Sequence, residues 1–571
     1  MSEKRWSHKP LPNPEIVDTL SKELGVDKTL ANMLVQRGVD DFEAAKNFFR
    51  PQLAHLYDPF LMADMEQAVA RLGGAIINGE NIMVYGDYDV DGTTSVALVY
   101  GFLSTFYTNL EYYNPDRYAE GYGVSIQGIE WAAEQGVSLI VCLDCGIKAQ
   151  EKVKIAKEKF HIDFIICDHH EPDENLPEAV AVLDPKRKDC LYPYKELTGN
   201  GVGFKLLQGY CLRNNLPFEH LYDFIDLCVV SIASDIVPIT GENRILAYFG
   251  LKKLNENPRI GLKALKDVAG FTTEMTVENV VFILGPRINA AGRIKHAKAA
   301  VKLLLSHDFD EAIEFAHEIQ KHNVERRGHD TRITEEALAM IQEDEWLSNT
   351  AKSTVLYRED WHKGVIGIVA SRCIEKYYRP TIIFTKSKEQ FASGSARSVS
   401  GFDLYAAIEE CSYLLEQFGG HKHAAGMTLN IDNIVPFRVA FDKIVSKYIT
   451  EEQLNPVINI DLKIKLADIN AKFYRILNQM APFGPENMQP VFVTENLTLK
   501  YTPRVMKEKH IRLDLFEEET GAIYTAVGFG MAEEHFQQLN SIKYFKVAYQ
   551  ISENTFNNKT TLQLMLKDIK Y

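Results

Sequence analysis

Short apolar runs separated by longer segments dominate the first half of the chain. Residues 82–85, 137–143 and 164–167 are the clearest runs, and each has the length of a buried strand. The segments between them, such as 94–106 and 148–160, are long enough for helices. This alternation predicts an α/β domain with a parallel sheet.

Each apolar run ends on acidic or imidazole side chains, and a fourth apolar segment, residues 227–233, does the same. Ligand sites of parallel sheets lie beyond the carboxyl ends of the strands. Four separate elements are therefore expected to place Asp or His at one edge of one sheet. The residues at these ends are Asp87, Asp89 and Asp91, then Asp144, then Asp168, His169 and His170, and finally Asp235.

Carboxylates packed this closely repel one another, and a divalent cation relieves the conflict. A solvated acidic turn would explain one isolated pair of aspartates, but recurrence at four elements disfavours that interpretation. Carboxylates accompanied by one or two imidazoles suit Mn²⁺ or Mg²⁺ better than Zn²⁺. The sequence thus predicts a metal site at the sheet edge.

The rest of the chain divides into regions that differ in the spacing of their apolar residues. Ala312, Phe315, Ala316 and Ile319 have helical spacing inside a long charged stretch, which predicts a connecting helix. Alternating apolar positions in residues 511–516 and 561–566 predict a small barrel, although composition alone would also fit a sandwich. The predicted organisation is a lead-in of residues 1–75 that packs on a first α/β domain of residues 76–305, a long helix within residues 306–350, a second α/β domain of residues 351–452 and a barrel-like domain of residues 453–571.

Composition narrows the class of protein. A length of 571 residues predicts several domains, and a net charge of −15 argues against coating nucleic acid by bulk charge. The first residues lack the apolar core of a secretory signal, and eight cysteines fit buried positions in a reducing compartment, so a cytoplasmic location is expected. A zinc or redox role for Cys142 and Cys145 is disfavoured because no second pair lies at zinc-finger spacing.

The acidic blocks resemble the successive motifs of the DHH phosphoesterases. Two glycine-containing blocks resemble the companion DHHA1 domain, and two narrower blocks resemble the bacterial single-strand-specific 5′→3′ DNA exonucleases of this family. The resemblance runs in order from about Tyr85 to Pro490. The matching blocks are residues 86–92, 144–146, 168–170 and 233–235 for DHH, residues 394–398 and 419–426 for DHHA1, and residues 286–293 and 361–372 for the narrower group.

The resemblance implies a fold of two α/β domains that face each other across a cleft, are joined by a long helix and are followed by an OB-like β-barrel. It implies two Mn²⁺ or Mg²⁺ ions, with Asp144 bridging them and His170 contacting the phosphate. Some family members carry a histidine four positions before Asp89; here that residue is Tyr85, a poor ligand while protonated, so Asp87 is expected to replace it. The expected metal ligands are Asp87, Asp89, Asp91, Asp144, His169 and Asp235.

The same resemblance implies residues that hold the strand. Ser395 and Arg397 are expected at the 5′-phosphate and His421 near the scissile phosphate, all in glycine-rich turns that let backbone N–H groups approach a phosphate. Arg117 is either a phosphate contact or part of a salt bridge that shapes its loop. The further expected strand contacts are Arg287, Asn289 and Arg293, and the expected catalytic group is Asp144, His169, His170 and His421.

The expected function is removal of 5′-mononucleotides from single-stranded DNA by two-metal hydrolysis, in DNA repair and recombination. A phosphoesterase acting on small substrates is a rival with the same chemistry, but it would need neither the lead-in nor the barrel. A non-catalytic replication scaffold is a rival of another class, yet every acid and both histidines of the motifs are present. Single-stranded DNA is the expected partner, with a single-strand-binding protein or a helicase as candidate protein partners. The chain is expected to be a monomer with no membrane contact.

Overall fold

The computed structural model describes residues 4–117, 119–294, 298–557 and 559–571. The chain forms two compact units, called here the first and the second unit. The first unit comprises Leu11–Asn323 and Lys472–Gln489, and the second comprises Met1–Pro10, Val324–Ala471 and Pro490–Tyr571.

The strands are β1 Arg5–His8, β2 Asn81–Gly86, β3 Leu110–Tyr113, β4 Val137–Leu143, β5 Asp163–Cys167, β6 Ala181–Leu183, β7 Thr354–Tyr357, β8 Thr381–Lys388, β9 Phe391–Arg397, β10 Gln417–His421, β11 Ala424–Asn430, β12 Val457–Ile460, β13 Leu462–Lys463, β14 Phe492–Leu499, β15 Arg504–Met506, β16 His510–Glu517, β17 Ile523–Gly528, β18 Phe545–Phe556 and β19 Lys559–Lys570.

The α-helices are α1 Pro14–Leu24, α2 Lys28–Val35, α3 Phe42–Phe49, α4 Met65–Asn78, α5 Val90–Ser104, α6 Ile126–Glu134, α7 Gln150–Phe160, α8 Gly199–Arg213, α9 Glu219–Tyr222, α10 Ile225–Asp235, α11 Gly241–Glu256, α12 Ile260–Val268, α13 Val277–Asn279, α14 Gly285–Ile294, α15 Lys298–Leu305, α16 Phe309–Glu343, α17 Glu345–Asn349, α18 Ile366–Lys376, α19 Leu404–Glu409, α20 Ile434–Tyr448, α21 Ala471–Asn478 and α22 Ala532–Leu539. A π-helical turn, Val280–Leu284, precedes α14. Short 3-10 turns occupy Leu53–His55, Pro59–Leu61, Ser412–Leu414, Ile431–Asn433, Glu451–Leu454 and Leu466–Asp468.

The first unit contains the predicted parallel sheet, in the order β3-β2-β4-β5-β6. Strands β2, β4 and β5 are largely apolar on both faces, as is typical of a parallel sheet that helices cover on both sides. Ile82 and Val84 point into one core cluster, while Met83 and Tyr85 point into the other, as the two-residue period of a strand requires. This alternation decides which face of the sheet each side chain of β2 occupies, and it places Tyr85 in the second cluster.

The fourth apolar segment is not at the sheet. Residues 227–233 lie inside helix α10, and every residue from Ile225 to Ala233 is buried. A helix that is apolar all round cannot be distinguished from a buried strand by periodicity. Asp235 therefore reaches the site from a helix end, and the expectation that four elements of one sheet deliver the acids was wrong for this one.

Helix α5 begins earlier than the sequence pattern indicated. It starts at Val90 rather than near Thr94, with Asp89 as its N-cap residue and Asp91 in its first turn. The Asp89 carboxylate accepts a hydrogen bond from the Gly92 N–H at 3.1 Å, which is the usual reason for aspartate at this position. The acidic block is thus a strand-to-helix junction.

The second unit contains a five-stranded sheet in the order β10-β11-β9-β8-β7. Strands β7 and β8 are parallel, and the other neighbours are antiparallel. Ser395 and Arg397 lie within β9, and His421 is the last residue of β10. The expectation that these residues lie in glycine-rich turns was wrong, because the glycines are in strands that pair closely side by side.

The C-terminal strands form a closed barrel. Their order is β13-β14-β18-β19-β17-β16-β15, and an additional pairing of β14 with β16 closes it. The β17–β19 pairing is parallel, whereas the β16–β17 and β18–β19 pairings are antiparallel. This is the small barrel that the alternating pattern predicted.

Two segments depart from the predicted division of the chain. Strand β1 pairs in parallel with β12, so the first residues of the lead-in belong to the second unit, while α1 to α4 belong to the first. Conversely, Lys472–Gln489 belongs to the first unit although it lies within residues 453–571.

The predicted long helix is α16, which begins at Phe309 in the first unit and ends at Glu343 in the second. Among the described residues, no helix is both long and apolar enough to cross a bilayer.

Candidate active site

Acidic and imidazole side chains gather at the carboxyl edge of the sheet of the first unit. Asp144 follows β4 directly, and Asp168, His169 and His170 follow β5. The last residue of α10, Asp235, joins them. The structure therefore brings together residues that are far apart in sequence, as predicted.

His169 is at the centre of this group. Its Nε2 atom lies 3.2 Å from Asp144 Oδ1, 3.7 Å from Asp235 Oδ2 and 3.8 Å from Asp91 Oδ2. Two sets of side chains have ligand atoms within 4.8 Å of one another, and the sets share His169. They are Asp91, His169 and Asp235, and Asp144, His169 and His170.

Asp91 is held by the start of helix α8. Its Oδ2 accepts a hydrogen bond from the Gly199 N–H at 2.7 Å, and its Oδ1 accepts one from the Asn200 N–H at 2.9 Å. The Ser231 hydroxyl lies 2.7 Å from the same Oδ1. Backbone N–H groups at a helix N-terminus are suitable donors for a carboxylate, and here they fix the orientation of the Asp91 side chain.

Asp144 has an unusual backbone conformation. Its φ of 58° is left-handed, a region in which aspartate is enriched among non-glycine residues. Its N–H donates to the Cys167 carbonyl at 2.9 Å, which ties it to the neighbouring strand end. A Cβ atom on Gly199 would lie 2.5 Å from the Cβ of Asp144, so only glycine permits this approach. The backbone and Cβ of Asp144 are thereby fixed between β5 and the start of α8.

Asp87 is fully buried, and its Oδ1 accepts a hydrogen bond from the Gly123 N–H at 3.2 Å. A Cβ atom on Gly92 would lie 2.4 Å from the Asp87 carbonyl oxygen, which explains why the acidic block ends on glycine. The side chain of Tyr85 lies in a core cluster of the first unit and not among the acidic side chains. Its hydroxyl is bonded to Gly123 and Ser125 in the core on the other face of the sheet.

Asp168 positions the two histidines, a role that the sequence analysis did not assign. Its Oδ1 accepts hydrogen bonds from the His169 N–H at 2.8 Å and lies 2.7 Å from His170 Nδ1. Its Oδ2 accepts one from the Ile147 N–H at 2.9 Å. His170 Nε2 is thereby turned toward the Tyr122 hydroxyl, 3.1 Å away. The signal in the sequence was an aspartate directly at a strand end and before two imidazoles.

Burial and mutual repulsion disturb the ionisation of the group. Burial first, then neighbouring carboxylates, raise the pKa of Asp144, Asp87 and Asp89, and raise the pKa of Asp235 to about 8. Burial lowers the pKa of His169 to about 4. For His170 burial acts in the same direction, but the hydrogen bond and charge of Asp168 prevail and raise its pKa to about 9. Burial thus favours the neutral form of His169, which can bind a cation, whereas Asp168 favours the charged form of His170.

The donor set fits divalent cations. His169 Nε2 and Asp87 Oδ2 are buried and make no hydrogen bond among the described residues. Leaving such atoms unpaired is unfavourable, and a cation bound by carboxylate oxygens and one imidazole would satisfy them. Asp87, Asp89, Asp91, Asp144, His169 and Asp235 could hold such ions.

Helix α14 carries the predicted strand contacts of the first unit. It lies close to the site, because a Cβ atom on Gly285 would be 2.9 Å from Ser234 Oγ and one on Gly292 would be 2.6 Å from the Tyr88 carbonyl oxygen. Arg287 is largely buried and donates to Gln320 Oε1 at 2.9 Å and to the Ile283 carbonyl at 2.7 Å. Asn289 is half-buried. The side chain of Arg293 lies outside the part of the chain that the structure describes.

The guanidinium of Arg117 lies 5.1 Å from the centre of the Tyr88 ring, and its two expected roles stay predictions. This cation–π contact places a positive charge beside the acidic block. Its charge also acts to lower the pKa of Asp87, against the larger effect of burial.

Ser395, Arg397 and His421 belong to the second unit. Arg397 donates to Ser395 Oγ at 3.2 Å, and both side chains approach Gly367 in the first turn of α18. Arg397 and His421 both pair with Ala424 of β11, so they occupy one row across the sheet. His421 is exposed. A guanidinium beside a helix N-terminus is a suitable arrangement for binding a phosphate.

Comparison with known proteins identifies the family. The model of the DHH family, N-terminal domain, matches residues 81–232, the DHHA1 domain matches residues 350–447, and the RecJ OB domain matches residues 460–568. The single-stranded-DNA-specific exonuclease RecJ of Bacillus subtilis (strain 168) is 38% identical over 99% of this chain and 71% of that protein. That of Haemophilus influenzae is 32% identical over 91% of this chain and 92% of that protein. The chain belongs to the RecJ family.

Solved RecJ structures extend the likeness to the fold. RecJ from Thermus thermophilus in complex with Mn²⁺ matches with a TM-score of 0.85 at 25% identity, over 99% of this chain and 79% of that chain. Another exonuclease RecJ bound to manganese matches with a TM-score of 0.60 at 30% identity, over 70% of this chain and 97% of that chain. The predicted combination of DHH, DHHA1 and OB-like domains is confirmed.

Proposed function

We infer that this chain is a metal-dependent exonuclease specific for single-stranded DNA, active in DNA repair and recombination. The observation that carries this inference is the convergence of Asp91, Asp144, His169 and Asp235 at one sheet edge in a chain of the RecJ family. Mn²⁺ or Mg²⁺ is the cofactor, in keeping with the donor set and with the metal-bound RecJ structures.

We propose that the site holds two ions. Asp144 would be the shared ligand, because its Oδ1 lies 3.2 Å from His169 Nε2 and because Asp87, Asp89, Asp91 and Asp235 all lie close enough to raise its pKa. When bound, such ions lower the pKa of a water molecule and stabilise charge on the phosphoryl and leaving oxygens. No protein nucleophile is needed for that chemistry.

The protein's own groups then bind and orient the strand. His170 is held by Asp168, which favours the charged form of the imidazole, and that form suits a phosphate oxygen. Ser395 and Arg397 provide a second anion site, which we assign to the 5′-terminal phosphate, with His421 near the scissile phosphate. Arg287, Asn289 and Arg293 are assigned to the strand itself. Hydrolysis from the 5′ end would release 5′-mononucleotides.

The rival functions explain fewer observations. A phosphoesterase for small substrates would leave the closed C-terminal barrel and its RecJ OB match without a role. A non-catalytic scaffold would have no need to maintain buried carboxylates whose pKa values are raised by burial and repulsion. A polymer substrate accounts for both features.

Incubation of the purified chain with a 5′-phosphorylated, 3′-blocked single strand tests the proposal. With Mn²⁺ the products should be mononucleotides from the first time point, and EDTA should stop their release. Label placed at the 3′ end should stay on shortening strands of a ladder. Products released first from the 3′ end, or activity that persists in EDTA, would contradict the assignment.

Three expectations stay predictions: that the chain is a monomer, that it is cytoplasmic, and that a single-strand-binding protein or a helicase is its protein partner. Light scattering during gel filtration measures the first, and capture by immobilised single-strand-binding protein tests the last.

A further inference from the structure

A loop of residues 119–125, called here the tyrosine loop, makes two contacts with the candidate metal centre. The Gly123 N–H donates to Asp87 Oδ1 at 3.2 Å. The Tyr122 hydroxyl lies 3.1 Å from His170 Nε2 and 3.4 Å from the Asp144 carbonyl oxygen. The loop therefore contributes to the orientation of one carboxylate, Asp87, and contacts one imidazole, His170, which Asp168 holds from the other side.

Tyr85 fastens the loop from inside the protein. Its hydroxyl donates to the Gly123 carbonyl at 3.0 Å and accepts from the Ser125 N–H at 3.1 Å. The ring is fully buried and stacks on Tyr113 with centroids 5.4 Å apart. Gly128 leaves no spare room, because a Cβ atom there would lie 2.8 Å from the Tyr85 ring. One rigid side chain thus holds the backbone on both sides of residue 124.

Further bonds restrain the same loop. Glu120 Oε2 accepts a hydrogen bond from the Tyr113 hydroxyl at 3.0 Å, and its Oε1 accepts one from the Asp116 N–H at 2.7 Å. Lys152 Nζ donates to the Val124 carbonyl at 2.5 Å. Gly123 has a φ of 77°, a left-handed conformation that disfavours other residues. These bonds restrain the loop next to the residues with which it contacts the site.

We propose that Tyr85 is a positioning residue of this active site, whose hydroxyl holds the tyrosine loop so that Gly123 orients Asp87 and Tyr122 faces His170. The inference rests on the proposed function and concerns the same site. Asp87 has one oxygen bound to Gly123 and the other without a hydrogen bond among the described residues, so the loop selects which oxygen is presented to a cation. The residue acts through backbone groups and touches no substrate.

The test compares Tyr85→Phe with Tyr107→Phe. Tyr107 is a matched control, because its hydroxyl donates to the backbone carbonyls of Glu80 and Ala75 just before the opposite end of β2. Both variants lose a buried hydroxyl in the same unit. Tyr85→Phe should lower kcat roughly 10- to 100-fold, since small displacements in an active site have effects of that size. It should also weaken Mn²⁺ binding, measured as a higher Mn²⁺ concentration for half of the rise in Tm that Mn²⁺ produces. Tyr107→Phe should change neither quantity, while both variants lower Tm.

A double-mutant cycle with Tyr122→Phe adds a readout that a purely structural role would not move. Because both residues act through one loop, the double variant should lose less activity than the product of the two single losses. Lys152→Met, which loosens the same loop from outside the core, should reproduce the Mn²⁺ shift in weaker form.

The inference is wrong if Tyr85→Phe and Lys152→Met both keep the kcat and the Mn²⁺ dependence of the control, or if the cycle is additive. In either case an active wild type leaves the proposed function standing. An inactive wild type under saturating Mn²⁺ would instead remove the proposed function.

Discussion

Two aspartates at the centre of the site, Asp91 and Asp144, are held in place by the surrounding backbone. Asp144 has a left-handed backbone and packs against Gly199, and Asp91 is bonded by the first N–H groups of α8. Their own hydrogen bonds and packing leave little freedom to move when a cation is absent. The site is therefore already arranged for ions, and substitutions there should affect chemistry more than folding.

Asp144→Asn should abolish hydrolysis while keeping the fold. The amide has the shape of the carboxylate but not its charge, and a cation stabilises transition-state charge by several kcal/mol, so the rate should fall roughly 1,000-fold or more. Initial rates with saturating Mn²⁺ measure the loss, and circular dichroism measures the fold. Asp189→Asn removes a carboxylate that pairs with Arg187 elsewhere in the unit and should have near wild-type rates.

The same pair of variants tests metal binding without activity. Mn²⁺ should raise the Tm of the wild type and of Asp189→Asn, because a ligand that binds only the folded state stabilises it. The Tm of Asp144→Asn should rise much less. An equal rise in all three proteins would mean that Asp144 is no ligand.

Arg397→Ala should discriminate between strand ends. If Ser395 and Arg397 receive the terminal phosphate, loss of the charge-assisted pair should weaken degradation of 5′-phosphorylated strands more than of 5′-hydroxyl strands. The ratio of kcat/KM on the two strands is the measurement. Arg358→Ala, an exposed arginine of the same unit paired with Glu336, serves as control. Equal losses on both substrates would assign Arg397 to structure alone.

At the scale of elements, distant segments complete the first unit. Arg244 of α11 is buried and donates to the carbonyls of Met480, Ala481 and Pro482, at 2.9 to 3.3 Å. It also donates to the Phe48 carbonyl and covers the Phe48 ring, with its guanidinium carbon 3.8 Å from the ring centre. One side chain thus joins α3, α11 and the returning segment Lys472–Gln489.

Arg244→Ala should therefore destabilise the first unit. It would remove the donor to the Phe48 and Ala481 carbonyls and the packing on the Phe48 ring, which should lower the free energy of unfolding by roughly 2–4 kcal/mol. Urea denaturation followed by tryptophan fluorescence measures the change. Arg213→Ala, which removes a largely exposed pair with Glu66, should change the stability by less than about 1 kcal/mol. Similar values for the two variants would contradict the anchoring role.

At the scale of the whole molecule, the substrate must reach the acidic sheet edge as a single strand. Melting a duplex costs roughly 1.4 kcal/mol per base-pair step, and the sequence contains no G-x-x-x-x-G-K-[ST] loop for coupling nucleotide hydrolysis to that work. Blunt duplex DNA should be degraded far more slowly than the same strand alone, and a 5′ overhang should be trimmed until the enzyme nears the junction. Comparable initial rates on blunt duplex and free strand, at matched salt and Mn²⁺, would contradict this selectivity.

The sequence alone determined the chemistry and the order of the domains. Apolar runs that end on Asp or His are local patterns, and the carboxyl ends of parallel strands meet at one edge whatever the details of packing. The gathering of Asp91, Asp144 and His169 was predictable for that reason. The long helix and the strand-rich C-terminal barrel were predictable from the spacing of their apolar residues. So was the choice of Mn²⁺ or Mg²⁺, which follows from the type of donor atom.

Tertiary structure decided what depends on contacts between distant segments. The segment that ends at Asp235 is a helix, because burial on all sides removes the periodicity that separates helix from strand. Arg397 and His421 lie in strands, because β11 pairs with both of their strands. The direction of Tyr85 followed from the strand period, but its bond to Gly123 required a loop 38 residues away in sequence to fold back over β2. Pairings of this kind are set by three-dimensional packing, and the local sequence carries no record of them.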